Sequence, residues 1–212
     1  MNGDEGSKVI VIVDVGIGNL GSILNMLRKT GVEACISSKV SEIDKADKLI
    51  LPGDGSFDVG MRNLAASGLL EILRRKIADE KVPILGICLG MQMFGRSSKE
   101  GELPGLGWID AYCIKFRFDS MSHLRVPHMG WNTVEIVNDS PLFRNMGDEP
   151  RFYFVHSYHL VCADPADITT VTNHGYDFVS SVKKGNIYGT QFHPEKSHRF
   201  GMTLLKNFAE LA

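Results

Sequence analysis

Short apolar segments alternate with helical patterns through the first half of the chain. The runs 8–13, 48–51 and 82–87 are almost continuously apolar, which is typical of strands buried on both faces. Segments 19–29 and 57–66 place apolar residues on one helical face. This alternation predicts an α/β protein with a mixed, mostly parallel central sheet flanked by helices. The pattern also predicts a strand at 32–36 and helices at 69–78 and 89–95.

The second half has a different pattern, in which strand-like segments are separated mainly by turn residues. We expect strands near 107–116, 133–137, 151–158, 168–172, 178–183 and 187–192, followed by a final helix at 200–211. No repeat or low-complexity linker divides the sequence. We therefore expect a disordered extension at 1–7 and a single domain at 8–212.

Composition excludes several classes of function. A net charge of -2 in 212 residues gives no electrostatic reason to expect nucleic acid or a membrane surface as partner. The four cysteines lack C-x-x-C spacing, which argues against a zinc site and a disulfide framework and favours reduced thiols in a cytoplasmic protein. Residues 1–7 are polar and acidic and do not resemble a signal peptide. We expect neither a metal nor a cofactor.

Residues 86–90, with the sequence G-I-C-L-G, lie between a predicted strand and a predicted helix. This is the cysteine form of the G-x-S-x-G elbow, a sharp turn that lifts a nucleophile above a sheet. Glycines on either side allow close backbone approach, and the following helix N-terminus favours a thiolate at Cys88. The alternative is a buried structural cysteine in a glycine-rich turn.

Residues 193–195, with the sequence H-P-E, end another strand-like segment. In extended backbone, residues two apart point to the same side, so Glu195 can orient the imidazole of His193. The histidine would then accept the thiol proton of Cys88. Taken alone, the tripeptide is more often a surface turn. A catalytic role is predicted because the same sequence also contains the elbow with Cys88.

The loop 52–55, with the sequence P-G-D-G, follows the third predicted strand. Its two glycines allow a backbone N–H to turn toward a developing oxyanion, although a plain tight turn has the same composition. The ordered set P-G-x-G, G-x-C-x-G-x-Q and H-P-E resembles the class I, triad-type glutamine amidotransferases. The resemblance implies their flavodoxin-like three-layer fold and a Cys88, His193 and Glu195 triad that hydrolyses glutamine.

The resemblance also implies roles for other residues. The oxyanion hole would involve Gly53, Asp54 and Leu89, and glutamine would be held by Gly55, Gln92, His156, Ser157 and Tyr158. Asp54 departs from the valine common in the family. Because only its backbone N–H is required, we expect the carboxylate to point outward.

Segments 14–20, 127–132 and 153–158 are similar to the glutaminase subunits of imidazole glycerol phosphate synthases. Such subunits form heterodimers with a (β/α)₈ cyclase, which uses the ammonia to make imidazole glycerol phosphate and aminoimidazole carboxamide ribotide in histidine biosynthesis. This resemblance places Asn19, Trp131, Tyr153 and Lys196 toward the partner and the ammonia exit. Core packing is an equally good explanation for each of the two aromatic residues alone.

Two alternatives remain open at the level of sequence. Segments 107–110 and 120–125 are similar to paralogues that supply ammonia to a synthetase modifying a surface-polysaccharide sugar. The other alternative is a non-catalytic binding module, or a cysteine hydrolase of another amide, on the same fold.

Overall fold

The computed structural model of the chain describes residues 9–119 and 123–211. The predicted extension at 1–7 and part of the segment 120–125 therefore lie outside the described residues. Among the helices that are described, none has the length and apolar character needed to cross a lipid bilayer.

The described residues contain thirteen strands. They are β1 (Ile10–Val13), β2 (Ala34–Ser37), β3 (Lys48–Gly53), β4 (Ile84–Cys88), β5 (Ser97–Ser98), β6 (Ala111–Lys115), β7 (His128–Thr133), β8 (Glu135–Ile136), β9 (Arg151–His156), β10 (Tyr158–Cys162), β11 (Ile168–Asn173), β12 (Asp177–Lys184) and β13 (Ile187–Thr190). The α-helices are α1 (Leu20–Lys29), α2 (Val40–Asp44), α3 (Phe57–Ala66), α4 (Leu70–Arg74), α5 (Leu89–Met93) and α6 (His198–Ala209). A π-helical turn, Arg75–Asp79, continues α4.

The large sheet has the strand order β2-β1-β3-β4-β13-β12-β10-β6-β5. Strands β2, β1, β3, β4 and β13 are mutually parallel. From β13 onward the neighbours β12, β10 and β6 pair antiparallel. The predicted mixed sheet is confirmed. Its larger parallel part is built from the alternating first half of the chain and β13, and β5 and β6 form one further parallel pair.

The sheet is covered by apolar side chains on both faces. Val11 belongs to one buried cluster, with residues of α3, α4 and α5, whereas Ile10 and Ile12 belong to a second cluster with residues of α1 and α6. This division follows from the alternation of side chains along a strand. The predicted arrangement of helices on both faces is therefore present, and it places the carboxyl ends of the parallel strands at one edge.

Several element boundaries differ from the sequence prediction. The predicted strand at 151–158 is two strands, because the chain leaves a separate two-stranded sheet of β7 and β9 at Ser157 and enters the large sheet as β10. The predicted strand at 107–116 is limited to β6. Of the predicted strand at 133–137, only the short β8 pairs with β11. The helix α2 was not predicted, and α6 begins at His198 rather than at 200.

Candidate active site

Cys88 lies at the junction of β4 and α5, where the backbone is strained. Its φ of 54° and ψ of -110° are outside the regions favoured by non-glycine residues. A Cβ on Gly86 would lie 2.5 Å from Cε2 of Phe94, and one on Gly90 would run into the carbonyl oxygen of Leu51. The glycines therefore allow the helix to pack against the sheet while the turn carries Cys88 to the sheet edge.

His193 and Glu195 form a buried pair after β13. Nδ1 of His193 lies 2.7 Å from Oε1 of Glu195, and because a carboxylate accepts, the ring N–H donates to Glu195. Burial alone would lower the pKa of His193, but its interactions with Cys88 and Glu195 outweigh this effect and raise the pKa to about 10. The charged imidazolium is thus the favoured form beside the cysteine, where it favours a thiolate.

Cys88 and His193 line the same cavity of about 320 Å³ at the carboxyl edge of the parallel strands. Its wall also contains the backbone or side chains of Asp54, Gly55, Leu89, Gln92, Glu100, Pro127, Val155, His156, Ser157, Tyr158 and Lys196. All five residues expected to hold glutamine are in this list. Of the other predicted site residues, Gly53, Glu195, Asn19, Trp131 and Tyr153 lie outside the cavity wall.

The loop after β3 lies against the elbow. Gly53 pairs with Cys88 in the parallel register of β3 and β4, and a Cβ on Gly53 would lie 2.9 Å from Cβ of Leu89. The N–H of Leu89 is at the first position of α5, where an α-helix offers no internal acceptor. These two backbones are close enough together for an oxyanion site to form between them.

The Asp54 carboxylate accepts a hydrogen bond from the backbone N–H of Gly18, at 3.1 Å. The side chain is therefore directed toward the loop that precedes α1. Asp54 lies on the surface, and its contact connects the two glycine-containing loops at this edge of the sheet.

For the glutaminase activity that the resemblance implies, replacing Asp54 with valine should change the rate by less than about tenfold, because a surface contact of this kind contributes about 1 kcal/mol. Steady-state release of glutamate by the wild type and by Asp54→Val, each with the implied synthase partner, measures the effect. A gain much larger than tenfold would mean that the carboxylate opposes the oxyanion.

His156 lines the cavity, but its ring is held from both sides by the protein. Nδ1 lies 2.8 Å from the carbonyl oxygen of Tyr158 and must donate to it. Burial holds the pKa of His156 well below its usual value, so the ring is neutral and Nε2 accepts from Nδ1 of His128, at 3.1 Å. Both ring nitrogens are engaged, so a ligand would meet the backbone or the ring carbons of His156.

The same reasoning fixes the tautomer of His128. Burial lowers its pKa to about 4, so the ring is neutral. Since Nδ1 donates to His156, Nε2 accepts from the side-chain amide of Asn132, at 3.2 Å. An ordered chain of hydrogen bonds therefore runs from Asn132 in β7 to Tyr158 at the cavity wall.

These buried histidines predict a loss of stability in acid. Below pH 6.5 the unfolded chain binds protons that neutral His156 excludes, so the free energy of unfolding should fall as pH decreases, by about 1.4 kcal/mol per pH unit for His156 alone. Urea unfolding between pH 7 and pH 4.5 measures the slope. His156→Asn should flatten it, whereas replacing the exposed His123 with glutamine should not. Equal slopes in all three proteins would contradict this account.

Two residues near Cys88 were not predicted from the sequence. Glu100 lies in the connection after β5, where no motif marks it, and its Oε2 accepts from the N–H of Phe57 at 2.8 Å. Gln191 is fully buried, and its Nε2 lies 3.6 Å from Sγ of Cys88. A signal existed for Gln191, because it precedes His193 by two positions and therefore points to the same side of an extended segment.

An exposed aromatic surface lies next to the cavity. Trp131 is 42% exposed and stacks on His198 with ring centroids 5.3 Å apart. Nζ of Lys196 lies 5.8 Å from the centroid of the Tyr153 ring. We call Met129, Trp131, Tyr153, Lys196 and His198 the Trp131 patch. Asn19 lies at the start of α1, where its side chain accepts from the N–H of Ser22 and caps the helix.

Comparisons with known proteins agree with this geometry. The family model "Glutamine amidotransferase class-I" matches residues 11–211. The chain belongs to this family. It is 48% identical over 203 residues to imidazole glycerol phosphate synthase subunit HisH 2 of Pseudomonas aeruginosa, covering 96% of this chain and 100% of that protein. The resemblance stated from the sequence is therefore confirmed.

Other HisH proteins are also similar to this chain over nearly its whole length. Methanococcus maripaludis has a HisH 2 that is 50% identical and a HisH 1 that is 43% identical, and each match covers 96% of this chain and 100% of the relative. The solved structure of PurLQS from Thermotoga maritima superposes with a TM-score of 0.70 at 18% identity, covering 96% of this chain and 98% of that one. That structure supports the amidotransferase fold alone.

Proposed function

We propose that this amidotransferase is the glutaminase subunit of an imidazole glycerol phosphate synthase and uses Cys88, His193 and Glu195 to hydrolyse glutamine. One observation carries the catalytic part of the proposal: a strained cysteine and a histidine oriented by a carboxylate, distant in the sequence, line a single cavity. The assignment to this synthase rests on the similarity to HisH proteins. The four free cysteines fit a reducing cytoplasm.

The first chemical step is acyl transfer to the Cys88 thiolate. The sulfur forms a bond to the carboxamide carbon, and the carbonyl electrons move onto oxygen to give a tetrahedral oxyanion. When this intermediate collapses, the C–N bond breaks and the nitrogen takes the proton of the His193 imidazolium. Ammonia leaves, and a glutamyl thioester and a neutral imidazole remain.

Loss of charge on the sulfur prepares His193 for the second step. Among the contacts that raise the pKa of His193, the hydrogen bond with Cys88 has the largest effect. This effect and the attraction to the thiolate charge are lost when the sulfur becomes a neutral thioester. The pKa of the imidazole then falls, so it can accept a proton from water as the oxygen attacks the thioester carbon. Glutamate leaves, and the thiolate and imidazolium are restored.

The oxyanion in both steps binds the N–H of Leu89 and an N–H from the Gly53–Asp54 peptide region. Removing one such donor typically costs ~10²–10³ in rate. A loop that turns its N–H toward the site only when the partner is bound would therefore keep the free subunit nearly inactive. The hydrogen bond between Asp54 and Gly18 joins this loop to the loop that precedes α1.

Charged groups on the cavity wall match the two ends of a glutamine zwitterion. We assign the α-ammonium group to Glu100 and the α-carboxylate to Lys196, since both residues line the cavity that contains Cys88. Both amide hydrogens of Gln92 are used within the protein, which leaves its Oε1 as an acceptor for the ligand. Ser157 and Tyr158 also line this cavity.

Replacing Glu100 with glutamine should raise the KM for glutamine roughly tenfold to 100-fold, because a hydrogen bond to a charged group contributes about 1.5–3 kcal/mol. The value of kcat should change little, since the introduced amide would keep an oxygen for the N–H of Phe57. Initial rates across a range of glutamine concentrations measure both constants. Glu102→Gln, in the same loop, is the matched control; equal KM values in the two variants would contradict the assignment.

The proposed partner is a (β/α)₈ cyclase that docks on the Trp131 patch to form a heterodimer. Ammonia released into water would be protonated and lost as a nucleophile, so a sheltered route to an acceptor is needed. The patch supports docking because it combines an exposed tryptophan with Met129, which is 62% exposed. Helix α1 packs against the Pro194–Lys196 turn, which places Asn19 on the same side of the molecule.

Mixing the chain with a histidine-pathway cyclase and its phosphoribulosyl aminoimidazole carboxamide substrate tests the proposal. Glutamate release should rise by at least about 10²-fold over that of the free subunit, as expected when an oxyanion donor is completed. Trp131→Ala should weaken the activation by raising the cyclase concentration required. Failure of the cyclase to activate the wild type would reject this partner.

A second acceptor is favoured by one observation. Methanococcus maripaludis has two HisH proteins, and this chain is 50% identical to number 2 and 43% identical to number 1. A second copy in one organism is free to supply ammonia to another synthetase, such as one that modifies a surface-polysaccharide sugar. Activation by that synthetase and not by the cyclase would establish this alternative.

A further inference from the structure

The side chain of Gln191 has no exposed surface, yet its amide lies beside the atom at which we place the chemistry. Gln191 Nε2 is 3.6 Å from Sγ of Cys88. The distance is in the range of an N–H···S hydrogen bond. A buried amide so close to a nucleophilic sulfur affects either the charge of the sulfur or its position.

The orientation of this amide is determined by its neighbours. The carbonyl oxygen of Tyr158 can only accept, so the Gln92 atom 3.0 Å away is the amide nitrogen Nε2. The second hydrogen on that nitrogen is donated to Oε1 of Gln191, also at 3.0 Å. With its oxygen engaged, Gln191 presents its N–H group to Cys88.

An N–H donor beside the sulfur forms a stronger hydrogen bond with the thiolate than with the thiol. A thiolate is a strong acceptor, whereas a thiol is a weak one and needs an acceptor for its own hydrogen. The carbonyl oxygen of Val155, 4.0 Å from Sγ, is one acceptor within reach of the thiol. Donation from Gln191 therefore stabilises the charged sulfur more than the neutral one.

We propose that Gln191 is a catalytic residue that stabilises the Cys88 thiolate by hydrogen bonding, and that Gln92 is a positioning residue that holds the Gln191 amide in the donating orientation. The contact acts twice in each cycle, when the thiolate attacks and when the sulfur leaves the thioester as an anion. The inference rests on the proposed role of Cys88 as nucleophile.

The ionisation of Cys88 can be measured in the full-length chain by alkylation with iodoacetamide across pH 5–10. Burial raises the pKa of Cys35, Cys113 and Cys162, so these thiols react slowly, and the residual rate in Cys88→Ser provides the correction. Gln191→Met keeps the length of the side chain and removes the donor. We expect the midpoint of the Cys88 alkylation profile to move upward by roughly one to two pH units.

Two further variants separate charge stabilisation from a loss of packing. Gln191→Glu keeps the shape and the acceptor for Gln92 but turns a carboxylate toward the sulfur, so it should move the alkylation midpoint of Cys88 further upward. Thr190→Val is the matched control, because Thr190 is equally buried and its hydroxyl donates to the carbonyl oxygen of Phe192, 3.1 Å away, rather than to the sulfur. Its alkylation profile should coincide with that of the wild type.

The outcomes are distinct. A raised midpoint in both Gln191 variants, with no change in Thr190→Val, supports the proposal. An unchanged profile in Gln191→Met, or equal shifts in Gln191→Met and Thr190→Val, overturns it while leaving Cys88 as the nucleophile. Alkylation that persists unchanged in Cys88→Ser would instead overturn the role of Cys88 itself.

Discussion

Replacing Cys88 with alanine should reduce glutamate release in the presence of the synthase partner by about 10⁴-fold or more. In the proposed mechanism the sulfur is the atom that becomes acylated, and without it the oxyanion donors and substrate binding supply only a residual acceleration. The alternative in which Cys88 is a structural cysteine predicts a different result. In that case the substitution would lower the free energy of unfolding and leave turnover by the folded fraction unchanged.

A supply of free ammonium salt separates loss of chemistry from loss of assembly. A complex that contains Cys88→Ala should still form product when ammonia is provided, because the synthase then needs no glutamine. Cys162→Ala is the matched control, since Cys162 is a partly buried free thiol outside the cavity wall. It should keep glutamine-dependent turnover. Persistence of that turnover in Cys88→Ala would rule out Cys88 as the nucleophile.

The parts of the site that could be predicted are those in which the chemistry requires particular residues within a few positions of one another. The elbow was recognisable because α5 packs so closely against β4 that Gly86 and Gly90 leave no room for a Cβ. The His193–Glu195 pair was recognisable because its two members are two residues apart in extended backbone. In both cases the geometry of a short stretch of backbone restricts which residues that stretch can contain.

The parts that could not be predicted depend on contacts between distant segments. Glu100 reaches the cavity because β5 and β6 carry the intervening loop beside α3, and nothing in its own neighbourhood marks it. The break at Ser157 divides one run of good strand formers between two sheets, and both sides have the same strand propensity. Helix α2, with five residues, is too short for its periodicity to be visible.

Replacing His193 with asparagine should lower kcat for glutamine hydrolysis by roughly 10²–10⁴-fold, the range typical of general acid–base catalysis. In the proposed mechanism the imidazole donates the proton that converts the leaving nitrogen to ammonia and later accepts one from water. Added ammonium should again restore product formation by the synthase. Full glutaminase activity in His193→Asn would show that another group moves these protons.

Glu195→Gln tests whether the charge of Glu195 raises the pKa of His193, because the substitution keeps an oxygen for Nδ1 of His193 and removes only the charge. Glu195 contributes to the raised pKa of His193, which is about 10 in the intact site. Alkylation of Cys88 reports this ionisation without turnover, since the imidazolium stabilises the thiolate. Without the carboxylate the imidazolium is less stable and loses its proton at a lower pH. The high-pH step of the Cys88 alkylation profile, which follows the loss of this proton, should therefore move to a lower pH.

Glu195→Gln should also change how the stability of the fold depends on pH above neutrality, without changing the dependence in acid. A histidine whose pKa is raised in the folded state stabilises the fold below pH 6.5, and this contribution disappears as the pH rises toward 10. Glu195→Gln should therefore narrow the gap in free energy of unfolding between pH 6.5 and pH 9, whereas the acid slope due to His156 should persist. Urea unfolding at pH 4.5, 6.5 and 9 measures both effects, and an unchanged gap would mean that Glu195 orients the ring without holding its charge.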